Sequence, residues 1–194
     1  MRKFRVCWIL LLTAVCVAQS NNSPASHPST ITVKVSKSGL FSGFAHDHVI
    51  VAPIARAAVD AQRLTAEITV ITKEMKVMDK EASDKDRAEI QSTMLGPKVL
   101  NQEKYPEIHF QSTRLEQTSP QHYGVTGTLE LHGAKQEMTF AVAFAGDHYH
   151  GSTRLKQSDF GIKPISLFGG SVKVKDEVEL EFDVYAPAPS VPGR

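Results

Sequence analysis

An antiparallel all-β domain, either a barrel or a sandwich, with one short helix inserted, is the fold this sequence predicts. Apolar and polar residues alternate along most of the chain, glycine-containing turn signals separate several of these runs, and a single segment carries a helical cap and stripe. A period of two sends successive side chains to opposite faces of a strand, so each run has one face to bury and one to solvate. The chain has 194 residues and 41% of them are hydrophobic, enough for one domain with a core. Its 22 basic and 21 acidic residues leave a net charge of +1, which excludes a strongly basic nucleic-acid binder.

The first 18 residues follow different rules. Arg2, Lys3 and Arg5 precede an uncharged run over residues 6–18. A membrane-spanning helix needs about 20 apolar residues, so this run is too short to span. A basic start, a short apolar stretch and small residues up to Ala18 describe a secretory signal peptide cut after Ala18. A lipoprotein cut before Cys16 fits less well, because Val15 stands where a small residue is needed. Both cysteines, Cys7 and Cys16, fall within this leader. The exported chain is then expected to carry no thiol for a disulfide, a metal site or a nucleophile. It keeps 19 basic against 21 acidic residues, near neutrality. Residues 19–30 are rich in Asn, Ser and Pro and read as a flexible linker. Pro187, Pro189 and Pro192 mark residues 187–194 as a tail, which leaves 31–186 as the domain.

Within the domain the strands follow in order. Ile31, Val33 and Val35 alternate with Thr32, Lys34 and Ser36. Leu64, Ala66, Ile68 and Val70 oppose Thr65, Glu67 and Thr69. Ile108 and Phe110 open another run, and Val125, Leu129 and Leu131 oppose Thr126, Thr128 and Glu130. Met138, Phe140, Val142 and Phe144 place four large apolar groups on one side, and a weaker run covers 149–155. The strongest alternation spans 172–184, where the even positions are apolar except Asp176 and the odd positions are all charged. One segment breaks the rhythm. Ser83 is placed to cap a helix over 84–95 with Asp86 at the third helical position, Ile90, Met94 and Leu95 form its apolar stripe, and Gly96-Pro97 stops it. A closed barrel of around eight such strands would remove exposed edges and leave room for one small ligand.

Familiar catalytic signatures are absent: there is no Gly-x-Ser-x-Gly elbow, no phosphate loop, no His-Glu-x-x-His helix and no EF-hand loop. Asp84-Lys85-Asp86 lacks the glycine and distal glutamate of a calcium loop and reads as the acidic first turn of the helix. The sequence therefore points away from an enzyme. Two His-x-His pairs stand out, His46-Asp47-His48 and His148-Tyr149-His150. Residues two apart on a strand point the same way, so either pair, with Asp47 or Asp147, could offer nitrogen and oxygen ligands to a transition metal. His148 and His150 share parity with Ser152 and Arg154, the solvent side, while Tyr149 and Leu155 take the other. His46 and His48 lie in apolar company and favour a structural or pocket-lining role, with Asp47 or a backbone carbonyl as partner.

The order of short motifs resembles the YceI-like family. It is carried by Ser38-Gly39-Leu40-Phe41-Ser42-Gly43-Phe44-Ala45-His46-Asp47-His48, by Lys85-Asp86-Arg87-Ala88-Glu89-Ile90, and by Lys104-Tyr105-Pro106-Glu107-Ile108-His109-Phe110-Gln111-Ser112. Val125-Thr126-Gly127-Thr128-Leu129-Glu130-Leu131-His132-Gly133, Ser158-Asp159-Phe160-Gly161-Ile162 and Val174-Lys175-Asp176-Glu177-Val178 complete the series, over residues 31–185. The chain departs from commoner members in following its His-Asp-His block quickly with Pro53. The resemblance implies an extended lipocalin-like antiparallel barrel in the periplasm that holds a polyisoprenoid or isoprenoid-quinone chain. No catalytic residue, metal or other cofactor is expected beyond that lipid or quinone.

One inward face of each strand is then the expected ligand surface: Phe44, Ile68, Val70, Phe110 and Leu129 in the first part of the chain, Phe140, Val142, Phe144, Leu180 and Phe182 in the second. His46 and His48 are expected at the mouth, near a polar headgroup. The competing reading is a metal-binding or redox-associated module built on His46/His48 and His148/His150. An apolar lipid is the expected partner, with no nucleic acid and no membrane-spanning segment in the mature chain; the oligomeric state stays open, a homodimer included.

Overall fold

The computed structural model describes residues 27–38, 47–60, 65–167 and 172–185. The expected signal peptide at 1–18, most of the 19–30 linker, the 187–194 tail, and Phe44 and His46 lie outside the described residues.

Eight long strands make the body: β1 (Thr30–Val35), β3 (His48–Asp60), β4 (Thr65–Ile71), β6 (Glu107–Ser119), β7 (His122–Leu131), β8 (Ala134–Ala145), β9 (His148–Lys156) and β12 (Glu177–Tyr185). They pair in the order β1-β12-β9-β8-β7-β6-β4-β3, and β3 pairs back with β1, so the antiparallel sheet closes into a barrel. Closure satisfies the hydrogen-bonding edge that an open sheet would expose. The short β5 (Lys76–Val77) adds to β3, with Ile50 facing Val77. Outside the ring, β2 (Lys37–Ser38), β10 (Ser166–Leu167) and β11 (Val172–Val174) form a small three-stranded sheet in the order β10-β11-β2.

The inserted helix α1 runs Asp84–Leu95. Ser83 Oγ accepts the Asp86 backbone N–H at 3.1 Å and donates to the Asp86 carboxylate at 2.7 Å, satisfying one of the helix's orphan donors. Arg87 ties the helix start to the preceding loop, donating to the carbonyls of Asp79 and Ala82 at 3.1 and 2.8 Å.

Two segments depart from the sequence reading. The 172–184 alternation is not one strand: it bends at Asp176, whose carboxylate accepts the Ser158 amide at 2.8 Å and the Ser158 hydroxyl at 2.6 Å. Only the part after the bend enters the barrel; Val172 and Val174 belong to the small sheet. The 13-residue β3 is a further strand that alternation does not show, because Pro53 interrupts it and alanines dilute its apolar face. It exchanges neighbours along its length, pairing with β1 up to Pro53 and with β4 from Ile54 onward, with an irregularity between Ile54 and Arg56.

The principal core lies at one end of the barrel. Ile50, Ala52, Val70, Met75, Val77, Met94, Leu100, Leu129, Leu131, Phe160 and Ile162 pack together there, beneath α1 and the loops beside it. Phe160 is 2% exposed and Thr72 1%. Thr72 donates its hydroxyl to the Tyr105 carbonyl at 2.8 Å and its amide to Pro106 at 2.9 Å, which anchors the entry to β6.

An apolar cavity as the candidate functional site

Toward the other end, the same inward faces leave a hollow. Inward residues alternate along β7 as Val125, Gly127, Leu129 and Leu131 and along β12 as Val178, Leu180, Phe182 and Val184. The cavity they enclose holds about 140 Å³ open to the centre of a water molecule, and its atom-free space, mouth included, is about 1020 Å³. All of the described strands of the ring contribute to its wall: Ile31 from β1, Ile54 and Val59 from β3, Ala66 and Ile68 from β4, Phe110 and Leu115 from β6. β7 adds Tyr123, Val125 and Leu129, β8 adds Met138, Phe140 and Val142, β9 adds Tyr149 and Thr153, and β12 completes it with Leu180, Phe182 and Val184. None of these residues carries a charge, and only Thr153 and the two tyrosines bring hydroxyls.

An aromatic band crosses this wall. Phe110 on β6 lies 5.5 Å from Phe140 on β8, and Phe140 lies 5.3 Å from Phe182 on β12, centroid to centroid. The strands between them carry glycine where the rings pass. A Cβ on Gly127 of β7 would stand 2.5 Å from the Phe110 ring, and one on Gly151 of β9 would stand 2.7 Å from Phe182. Glycine inside a strand weakens it, and here it gives the rings the space that a side chain would fill. The first pair is tilted and the second edge-on, and neither is stacked face to face, which suits the ring quadrupoles.

A second aromatic group stands around Tyr149. Its ring lies 4.9 Å from Phe144 and 6.0 Å from Tyr123, and it packs with Val125, Val142 and Val184. The Tyr149 hydroxyl is buried and has no hydrogen-bond partner among the described residues. Burial, with a smaller contribution from Tyr123, pushes its pKa up to about 12. The phenol is therefore a neutral donor at any ordinary pH.

Of the residues expected to line a ligand site, Ile68, Phe110, Leu129, Phe140, Val142, Leu180 and Phe182 come together around the cavity. Val70 does not: it sits in the solid core, 3% exposed. Phe144 packs on Tyr149 and is not among the residues that line the cavity. His48 is not at the mouth of this cavity. Its Nδ1 lies 2.6 Å from Oδ2 of Asp79, whose other oxygen accepts the Val49 amide at 2.7 Å. The partner is thus Asp79, itself 4% exposed, rather than Asp47, which accepts the Lys37 amide at 2.9 Å. His48 borders a separate groove between α1 and the sheet, lined also by Ile50, Glu89, Ile90 and Met94. His148 and His150 lie 5.9 Å apart, and His148 faces Asp147 and Asp183 at 3.2 and 3.5 Å. Among the described residues, no three His, Cys, Asp or Glu side chains converge on a point that could hold a metal ion.

The expected ligand surface lacks Ile31, Ile54, Val59, Ala66, Leu115, Tyr123, Val125, Met138, Tyr149, Thr153 and Val184, all of which line the cavity. Parity does carry Tyr149, which falls opposite the two solvent-side histidines. Glycine at an inward position of an otherwise alternating run was the readable sign of the aromatic band.

The family model of the YceI-like domain matches residues 24–186. A UPF0312 protein of Pseudomonas putida is 36% identical over 74 residues, 33% of this chain and 38% of that protein. One from Azotobacter vinelandii is 32% identical over 100 residues, 46% of this chain and 52% of its own length. The chain therefore aligns with about two-fifths to one-half of these relatives. Among solved structures, Burkholderia cenocepacia BcnA superposes with a TM-score of 0.56 at 18% identity, covering 81% of this chain and 96% of that one. A polyisoprenoid binding domain from Saccharophagus degradans gives 0.50 at 11% identity, with 83% and 94% covered. These likenesses are of fold. No helix among the described residues is long and apolar enough to cross a membrane.

Proposed function

This chain belongs to the YceI-like family, and we propose that its barrel cavity holds a polyisoprenoid or isoprenoid-quinone chain, as an exported, non-catalytic lipid-binding protein. The observation that carries this reading is a cavity whose described wall is almost entirely apolar and free of charge. Such a wall offers no partner to a charged ligand and only a few hydroxyls to a polar one, and transfer from water without partners is strongly unfavourable. A hydrocarbon chain instead gains roughly 25 cal/mol for each Å² of apolar surface withdrawn from water, less the entropy lost on ordering it. The Saccharophagus degradans neighbour, described as a polyisoprenoid binding domain, supports the same class of ligand.

The leader at residues 1–18 supports export, and a mature chain beginning at Gln19 is expected from N-terminal sequencing of the protein recovered from the periplasm. Native mass spectrometry of the protein purified from its own host tests the ligand. A bound apolar molecule of isoprenoid mass, released on denaturation, is the expected result. Recovery of the protein without any apolar ligand would remove the carrier reading.

A further inference from the structure

Tyr149 is an anomaly in the apolar wall. Buried hydroxyls are nearly always paired, because an unpaired one gives up its hydrogen bonds to water for nothing. Tyr149 is 9% exposed, its hydroxyl is unpartnered, and a phenylalanine would serve the packing with Phe144, Val142 and Val184 equally well. Tyr123, the nearest other phenol, lies edge-on to it and makes no hydrogen bond with it. Among the described residues, the wall around the pair holds no Lys, Arg or His to neutralise an anionic headgroup.

From these observations we infer that the Tyr149 hydroxyl is the specificity-determining contact of the cavity, donating a hydrogen bond to a neutral acceptor oxygen on an otherwise apolar ligand. A quinone carbonyl and an alcohol or ether oxygen share that chemistry; a phosphate does not, because its charge would stay unpaired. The inference rests on the cavity being a lipid site and adds which end-group it accepts. Because the hydroxyl is cut off from solvent, the ligand oxygen has to part the aromatic rings beside it. The hydrogen bond it then gains is one that no described residue supplies. A site that pairs a ligand oxygen discriminates against an analogue without it far more sharply than an apolar pocket can.

The test compares wild type and Tyr149→Phe by calorimetry against three probes: a diprenyl benzoquinone, a hydrocarbon of the same length without oxygen, and geranylgeranyl phosphate. The variant is expected to bind the quinone on the order of tenfold more weakly, as for the loss of one buried hydrogen bond, and the hydrocarbon within about twofold of wild type. The phosphate is expected to bind no better than the hydrocarbon. In the infrared, the quinone carbonyl band is expected at lower frequency in wild type than in the variant. Without ligand, Tyr149→Phe is expected to melt a few degrees higher, since it removes an unpaired group. Equal loss for quinone and hydrocarbon, or no loss for either, would overturn the role of Tyr149 while leaving the lipid site standing. Failure of wild type to bind quinone and hydrocarbon alike would overturn the site itself. A lower melting point for the ligand-free variant would show that the hydroxyl is already paired and would also sink the inference.

Discussion

Phe160 and Phe140 are both held inside the barrel, yet they sit in different surroundings. Phe160 is 2% exposed, and its backbone carbonyl faces His132 Nδ1 at 3.2 Å, which pins the short turn that carries it. Gly161, in the left-handed region at φ 71°, ends that turn where a residue with a Cβ would be strained. Phe140 is partly buried, borders empty space, and is steadied by two neighbouring rings. The filled end also contains the polar ties: Asp79 to His48 and Val49, Thr72 to Tyr105, and Gln91 Nε2 to the Met75 carbonyl at 2.8 Å. The hollow end has a largely apolar wall, with the Ala66 amide donating to Ser112 Oγ at 2.6 Å, and among the described residues one buried hydroxyl without a partner. One end is built for stability and the other keeps its apolar surface in reserve.

The motifs that signal the family are distributed unevenly between these ends. Lys85 to Ile90 lies on α1, Tyr105-Pro106 holds Thr72, and Asp159-Phe160-Gly161 supplies the core's most buried ring. His132-Gly133 packs beneath Tyr105, with ring centroids of Tyr105 and His132 4.6 Å apart; a Cβ at Gly133 would stand 2.6 Å from the Tyr105 ring. The recognisable sequence thus mainly describes the end that is packed solid.

The largest consequence of this contrast is in stability. Phe160→Ala is expected to cost about 4 kcal/mol in urea denaturation, the usual range for truncating a fully buried aromatic. Phe140→Ala is expected to cost less than half as much, because its ring already faces a void. Equal costs would mean that the hollow end is packed in solution. Next comes Gly151→Ala, whose new Cβ would stand 2.6 Å from the Ala141 carbonyl oxygen and 2.7 Å from the Phe182 ring. Overpacking of this kind costs roughly 1–3 kcal/mol, and the ring displaced toward the cavity is expected to reduce lipid uptake measured by mass spectrometry. A variant of unchanged stability and full uptake would show that the aromatic band is not close-packed.

The smallest effect is a pH dependence. Burial raises Tyr149 from 10.0 to about 12 in the folded chain, so the unfolded chain ionises first as pH rises. The associated stability is present in full below pH 10.0 and is lost as the pH climbs through about 12. Denaturation of wild type and Tyr149→Phe across that window is expected to show wild type losing stability more steeply. Parallel curves would place the phenol in water.

Much of the architecture was readable one strand at a time. The parity of Leu180, Phe182 and Val184, or of Met138, Phe140 and Val142, states which face turns inward, and Ser83 with Asp86 states where the helix begins. β3 was harder to read because Pro53 and its alanines blur the period. The break at Asp176 depends on a hydrogen-bonding partner, Ser158, 18 residues away. For the cavity, parity gives the face but not the depth. Ile68 and Val70 share one side of β4, yet Ile68 borders the void and Val70 the core.

By itself, the chain determined most of its strands, their inward faces and the helix α1, because these follow from the local period of apolar residues and from capping chemistry a few residues apart. Only the tertiary structure decided which inward residues meet other side chains and which meet empty space. That choice depends on position along the barrel axis, where Ile31 and Val184 come to one wall from opposite ends of the chain. It also decided that His48 answers Asp79, and that the Tyr149 hydroxyl meets no partner among the described residues.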